Sequence, residues 1–158
     1  MTDERVPLLE VAGVHAGYGA SEVLFGIDLT VGRGEIVGVL GRNGMGKTTL
    51  VRTLMGLVRP SAGTIAFAGR AIGGLAPQRV ARLGIALVPE GRQVFPNLTV
   101  EEHLTAFHRR GVDGSDGWSP ARVLAMFAAL AGRRRHLGNQ LSGGEQQMLA
   151  IGRALVTN

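Results

Sequence analysis

The stretch that decides the fold of this chain is Gly41-Arg42-Asn43-Gly44-Met45-Gly46-Lys47-Thr48. It fits the spacing G-x-x-x-x-G-K-[ST], which is typical of a loop that binds phosphate groups. The run before it, residues 35–40, is apolar and β-branched, which predicts a buried strand. The run after it, residues 49–56, has the apolar spacing of a helix. The sequence therefore predicts a strand, a phosphate-binding loop and a helix in succession.

The residue types of this loop suit a polyphosphate. Its glycines allow positive φ angles and close approach of an anion to the backbone amides. The following helix adds the positive end of its dipole. Lys47, the only lysine of the chain, supplies a compact charge for the terminal phosphates, and the Thr48 hydroxyl can bind Mg²⁺. ATP or GTP with Mg²⁺ is the predicted ligand, and the alternative is a glycine-rich turn that merely precedes a lysine.

Composition limits the other classes of function. A chain of 158 residues predicts one α/β domain, and the absence of cysteine excludes disulfides and thiolate metal sites. The net charge is +5, but the only basic cluster is Arg133-Arg134-Arg135 and aromatic residues make up 4%. A solvated basic surface is therefore favoured over a nucleic-acid or lipid-headgroup patch. The polar start at residues 1–5 predicts no signal peptide, and no apolar run has the length of a membrane span.

Alternation and turn signals predict the remaining elements. Strands are expected at residues 8–14, 27–31, 64–69 and 85–88, with a turn at 60–63, and helices at 77–83, 99–110 and 120–130. Tyr18 follows the first strand and could be an ordinary core aromatic residue. The strand at 85–88 ends at Pro89, so Glu90 begins a polar loop of the kind that binds ligands in open α/β sheets.

A second motif lies at Leu141-Ser142-Gly143-Gly144-Glu145-Gln146-Gln147. Ser142 and Glu145 fit a capping box, which predicts a helix that continues through Leu155. Two glycines in its first turn cost about 1 kcal/mol each relative to alanine. Bare backbone there is useful if a second anion approaches the helix N-terminus, and the alternative is simply a capped helix.

The two motifs together resemble those of the ATP-binding subunits of ABC transporters, and the resemblance covers nearly the whole chain. It implies an α/β P-loop NTPase core with an antiparallel β edge and a helical subdomain. The implied division is a nucleotide-binding core at residues 1–98, a helical subdomain at 99–140 and the signature motif with its helix at 141–158. It also implies that the chain is an N-terminal fragment of such a subunit.

The resemblance also implies roles for individual residues. Tyr18 matches the aromatic residue that stacks on adenine, and Glu90 lies at the first position of the Q-loop. The residues expected to contact ATP are Tyr18, Gly41, Asn43, Gly44, Gly46, Lys47, Thr48, Thr49, Ser142, Gly143, Gly144 and Glu145. Thr48 and Glu90 are the expected contacts of Mg²⁺.

The pattern around Glu90, VPEGR-x-VF-x-x-LTVEE, is similar to the second ATPase subunit (LivF type) of branched-chain amino-acid importers. The resemblance implies a head-to-tail dimer with a homologous ATPase subunit, and contacts with permease subunits through residues 90–110. It places the protein in the cytoplasm, on the inner face of the cell membrane, and predicts no nucleic-acid partner. The alternatives are a urea or amide importer ATPase, a non-transport ABC-type ATPase, a non-hydrolysing interaction fragment and a basic nucleic-acid-binding module.

One departure from the family pattern affects catalysis. Family members continue past the signature helix to an aspartate, a catalytic glutamate and a histidine, whereas no acidic residue follows Glu145 here. None of His15, His103, His108 and His136 lies at the expected histidine position. We therefore expect the 158 residues alone to bind nucleotide weakly, to hydrolyse it negligibly and to expose a sheet edge that lowers solubility.

Overall fold

The computed structural model describes residues 6–110 and 117–158, which divide into two compact units, one up to Ile85 and one from Ala86 onward. Each unit is built around its own hydrophobic core. The functional division into residues 1–98, 99–140 and 141–158 stays a prediction. None of the helices in the described part of the chain has the length and apolarity that crossing a membrane requires.

An antiparallel sheet forms the first unit, in the strand order β2-β1-β3-β4. Its strands are β1 (Leu9–Tyr18), β2 (Ser21–Val31), β3 (Pro60–Phe67) and β4 (Arg70–Ala71). A two-residue turn joins β1 to β2, with Gly19 at φ +59°, and a Cβ at Gly17 would overlap the backbone of Ser21. The expected antiparallel edge is therefore confirmed, and the strands are longer than alternation indicated. The predicted turn at residues 60–63 is wrong, because these residues begin β3.

Two helices lie in the same unit, α1 (Lys47–Leu54) and α2 (Pro77–Ala81). Leu50 of α1 and Val80 of α2 belong to a core with apolar residues of the sheet. The buried members of this core are Val11, Val14, Ala16, Leu24, Leu50, Val58, Ile65, Ile72 and Val80. The expected helix after the phosphate loop is confirmed, although it begins at Lys47 rather than at residue 49.

The predicted strand before the phosphate loop is wrong. Residues 35–40 have no strand assignment, and the side chains of Ile36 and Leu40 are 97% and 95% exposed. The predicted strand at 85–88 is also unassigned. Both runs have strand composition, but a strand needs a neighbour for its backbone hydrogen bonds, and the described residues place none beside either run.

Helices make up the second unit. They are α3 (Val100–Phe107), α4 (Pro120–Met126), α5 (Ala128–Ala131) and α6 (Gly143–Leu155), with a 3₁₀ turn at Gly138–Gln140. The expected helix at 120–130 is interrupted at Phe127, whose φ of −110° and ψ of 79° are not helical. The expected helix at 99–110 ends at Phe107, and residues 111–116 lie outside the described residues.

Candidate functional site

The phosphate loop has the backbone conformation that its glycines predict. Gly44 and Gly46 have φ angles of +82° and +88°, and Gly46 is the N-cap of α1. A Cβ at Gly46 would lie 2.9 Å from Cδ2 of Leu24, so the position lacks space for a side chain as well. Residues 41–45 are exposed. The loop therefore presents its backbone to solvent at the N-terminus of an eight-residue helix.

Lys47 points its amine back over this loop. Its Nζ donates hydrogen bonds to the carbonyl oxygens of Gly41, at 2.5 Å, and Arg42, at 2.8 Å. Within residues 6–110 and 117–158, no carboxylate lies at ion-pair distance from the amine. Among the described residues, loop carbonyls are therefore the partners of the Lys47 charge, and phosphate oxygens can replace these carbonyls as acceptors.

Two threonines follow Lys47 and lie in different surroundings. Thr48 is exposed, so its hydroxyl can reach a ligand at the mouth of the loop. Thr49 is 6% exposed, and its carbonyl accepts a hydrogen bond from the Thr53 hydroxyl. Its side chain contributes to the lowered pKa of Tyr18. Thr49 therefore contacts the candidate adenine-binding residue. Asn43 lies in the exposed turn of the loop.

Tyr18 ends β1 and is 46% exposed. Its hydroxyl accepts a hydrogen bond from Nη1 of Arg52, a residue of α1, at 3.3 Å. The hydrogen bond from Arg52 lowers the pKa of Tyr18, and a hydrogen bond with Thr49 lowers it further. The exposed ring excludes the alternative that Tyr18 is an ordinary core aromatic residue.

The signature segment begins with a complete capping box. The Ser142 hydroxyl accepts a hydrogen bond from the Glu145 amide at 3.3 Å, and the Glu145 carboxylate accepts one from the Ser142 amide at 2.7 Å. This second bond is the main reason that the pKa of Glu145 is lowered. Arg133 lies 3.4 Å from the same carboxylate. The Glu145 side chain is therefore occupied in holding the first turn of α6.

The two glycines of the signature segment have different neighbours. A Cβ at Gly143 would lie 3.0 Å from Nη1 of Arg92, whereas a Cβ at Gly144 would meet nothing within 4 Å. Nη1 of Arg92 also donates a hydrogen bond to the side-chain oxygen of Gln146 at 3.2 Å. Gly143 thus makes room for the guanidinium of Arg92, and only Gly144 faces open space.

Two further residues of this region, Arg92 and Arg153, belong to neither the phosphate-loop motif nor the signature motif in the sequence. Arg153, on α6, donates hydrogen bonds to the carbonyls of Gln93 at 3.0 Å and Arg92 at 3.4 Å, and these two residues have positive φ angles. Its guanidinium also lies over the rings of Phe95 and Phe107. One signal was available, because Arg153 follows the buried Leu149 by four residues and so falls on the apolar side of the helix. No sequence pattern links Arg92 to Gly143, which is 51 positions later.

His103 hydrogen-bonds to the loop that contains Gln93 and Phe95. It is fully buried on α3; its Nε2 accepts a hydrogen bond from the Phe95 amide at 2.9 Å, and its Nδ1 lies 2.7 Å from the Thr99 carbonyl. Burial lowers the pKa of His103. A neutral ring that donates from Nδ1 satisfies both contacts, so His103 is a structural residue here.

The residues present fit a nucleotide better than a metal ion alone. Gly44, Gly46 and Lys47 provide backbone amides and a charge for phosphate oxygens, and the exposed residue Thr48 follows them. The described residues contain no group of three or more His, Cys, Asp and Glu side chains that could hold a metal. Mg²⁺ commonly binds through phosphates and water with one or two protein ligands, which is compatible with Thr48. Glu90 is exposed and belongs to the second unit.

Comparison with known proteins gives the family. The profile described as "ABC transporter" matches residues 24–158. This chain belongs to the ABC transporter family. The matched residues include both the phosphate loop, which is called the Walker A loop from here on after the family's motif, and the signature segment.

Individual relatives agree with the family match. The chain is 42% identical over 151 residues to the "High-affinity branched-chain amino acid transport ATP-binding protein BraG" of Pseudomonas aeruginosa, and the match covers 95% of this chain and 64% of the relative. It is 39% identical to the "Lipoprotein-releasing system ATP-binding protein LolD" of Geobacter metallireducens, over 94% of this chain and 70% of that protein.

A solved "Structure of ATP binding subunit of ABC transporter" is also similar. It has a TM-score of 0.78 at 31% identity, over 95% of this chain and 62% of the solved chain. The predicted fold class, an ABC ATPase core with an antiparallel β edge, is thereby confirmed. The chain spans less than two thirds of the length of BraG and of this solved subunit.

Proposed function

We propose that this chain is the ATP-binding part of an ABC importer ATPase for branched-chain amino acids. The observation that carries the proposal is the Walker A loop, in which Lys47 lies over a backbone held open by Gly44 and Gly46. Membership of the ABC transporter family supports ATP as the nucleotide. The solute is the finer part of the proposal and rests on the similarity to BraG, since a lipoprotein-release relative matches almost as well.

In the proposed mechanism, Tyr18 stacks on the base and Lys47 exchanges its carbonyl partners for the terminal phosphate oxygens. Gly41, Asn43, Gly44 and Gly46 contribute backbone contacts, and Thr48 binds Mg²⁺, which would neutralise phosphate charge during transfer to water. Glu90 is the second proposed Mg²⁺ contact. Thr49 differs from this group because its side chain contacts Tyr18, so we propose an indirect role for it.

The signature segment is proposed to act on the ATP of a second, homologous subunit. Gly144 supports this idea, since it has open space around it and its helical backbone does not need a glycine. Ser142 and Glu145 hold the helix end, and Gly143 leaves space for Arg92. We propose that residues 90–110 contact permease subunits, which would keep the protein at the inner face of the cell membrane.

The 158 residues alone are proposed to turn over ATP negligibly. A positioned general base typically contributes about 10²- to 10⁴-fold, and no acidic residue follows Glu145. Phosphate release measured for the isolated chain should therefore stay near the background of the Lys47→Ala variant. Release at the rate of a complete ABC ATPase would contradict this part of the proposal.

The phosphate site is tested with an amine-reactive nucleotide, the 2′,3′-dialdehyde of ATP, followed by peptide mapping. Lys47 is the only lysine, so one modified lysine peptide is expected, and excess Mg-ATP should suppress its labelling. Arg79→Lys provides a matched control, because it adds a lysine at an exposed position of α2. Labelling of this introduced lysine should be insensitive to Mg-ATP. Equal protection at both positions, or none at Lys47, would refute the phosphate site.

A further inference from the structure

Arg52 links the candidate base-binding ring to the helix that carries the phosphate loop. Tyr18 lies at the tip of the β1–β2 hairpin, and Arg52 lies on α1 five residues after Lys47. Nη1 of Arg52 donates a hydrogen bond to the Tyr18 hydroxyl at 3.3 Å. Thr49 of the same helix also contributes to the lowered pKa of Tyr18. Thr49 is buried, so the side of α1 beside Tyr18 is fixed by the core.

We propose that Arg52 is a positioning residue for nucleotide selection: it holds the Tyr18 ring against α1, so that base and phosphate contacts have a fixed spacing. This inference rests on the proposed function, because it takes Tyr18 as the residue that stacks on the base. Arg52 itself need not touch the nucleotide. Its effect should therefore depend on whether the ligand has a base at all.

The reason for such a residue lies in the exposure of the ring. Tyr18 is 46% exposed at a hairpin tip, where core packing cannot select one rotamer. A ring that is free before binding must be ordered when a base stacks on it, and this ordering weakens binding. Because Lys47, Thr49 and Arg52 share one helix, their relative positions are fixed at a rise of about 1.5 Å per residue.

Ionisation of the tyrosine gives a readout that does not depend on binding. Tyr18 is the only tyrosine of the chain, so tyrosinate absorbance reports this residue alone. The hydrogen bond from Arg52 is the largest cause of its lowered pKa. Arg52→Met should therefore raise the pKa of Tyr18 toward its ordinary value. Arg79→Met, which removes an exposed arginine from α2, should leave that pKa unchanged.

Binding is then measured by calorimetry with Mg-ATP and with Mg-tripolyphosphate, which has the phosphates but no base. Ordering one side chain corresponds to about a threefold to tenfold change in affinity. Arg52→Met and Tyr18→Phe should each weaken ATP binding by about this factor and change tripolyphosphate binding less than about twofold. Tyr18→Ala should lower the preference for ATP further, and Arg79→Met should preserve it.

The outcomes separate this inference from the proposed function. Equal weakening of ATP and tripolyphosphate by Arg52→Met would overturn the inference, since Arg52 would then act through its charge on the phosphates. An unchanged tyrosine titration in Arg52→Met would also overturn it. If Tyr18→Ala leaves the preference for ATP unchanged, the proposed role of Tyr18 fails. If the unaltered chain binds neither ligand, the proposed function and the inference both fail.

Discussion

The Walker A loop and the signature segment both place glycines at the N-terminus of a helix, but the glycines satisfy different physical requirements. Gly44 and Gly46 have positive φ angles, and Gly46 also lacks space for a Cβ because of Leu24. Gly143 and Gly144 are part of the regular helix α6. Gly44 and Gly46 are therefore required by the positive φ angles of the loop itself. In the second pair, Gly143 makes room for Arg92, and nothing within the described residues crowds Gly144.

The two segments also differ in what holds them in place. Leu141 and Leu149 belong to the core of the second unit, and Ser142 and Glu145 complete the helix cap. The Walker A loop is followed by a packed helix but preceded by the exposed residues 35–40. A helix satisfies its hydrogen bonds internally, whereas a strand depends on a neighbour. The signature segment is therefore supported on both sides, and the Walker A loop on one.

The largest expected effect comes from Gly46→Ala. A left-handed conformation costs a non-glycine residue about 1–2 kcal/mol, and overpacking against Leu24 adds about 1–3 kcal/mol. The free energy of unfolding of the first unit should fall by about 2–5 kcal/mol. Hydrogen–deuterium exchange of amides in β1, β2 and α1 measures this change.

Gly44→Ala is the matched control for this substitution. Its φ is also positive, but a Cβ there meets nothing within 4 Å, so only the conformational cost of about 1–2 kcal/mol applies. Equal losses in the two variants would show that crowding by Leu24 contributes nothing. The glycines of the Walker A loop would then differ from those of the signature segment in backbone conformation alone.

Helices with caps could be predicted closely from the sequence, and buried strands could not. Thr99 with Glu102 and Ser142 with Glu145 mark where α3 and α6 begin, because a cap is a local arrangement. Residues 35–40 and 85–88 have strand composition, yet neither run is a strand. Composition indicates a preference for extended backbone, but it does not supply the neighbouring strand.

The same distinction applies to the candidate site. The spacing of the Walker A loop predicts the position of Lys47 and the positive φ of Gly44, because the requirement lies within a few residues. The contact of Arg92 with Gly143, and of Arg52 with Tyr18, joins residues far apart in sequence. Such contacts exist only after the chain has folded, so motif spacing could not reveal them.

The second unit contains a buried histidine, His103, that should make its stability depend on pH, whereas the Walker A loop contains no histidine. His103 accepts a hydrogen bond from the Phe95 amide through Nε2, and a protonated ring could no longer accept it. Burial lowers the pKa of His103 in the folded protein below its ordinary value near 6.5. The unfolded chain therefore binds more protons as pH falls below about 6.5.

Stability of the second unit should thus be complete above about pH 6.5 and decline toward the lower folded pKa, by at most about 1.4 kcal/mol per pH unit. Urea unfolding followed by fluorescence of Trp118, the only tryptophan and a neighbour of the same core, measures it. In His103→Gln the slope in this window should be shallower than in the unaltered chain. Identical slopes would show that His103 is not the titrating group.

The smallest expected effect comes from alanine at the signature glycines, and it tests whether the chain's own packing needs them. Gly144→Ala should leave the free energy of unfolding unchanged or raise it by up to about 1 kcal/mol, since alanine favours helix and the space is open. Gly143→Ala must displace the guanidinium of Arg92, a flexible exposed side chain, so a change within about 0.5 kcal/mol is expected. Trp118 fluorescence during urea unfolding measures both variants. A loss above about 1 kcal/mol in Gly144→Ala would mean that folding itself requires this glycine, and the contrast with Gly46 would disappear.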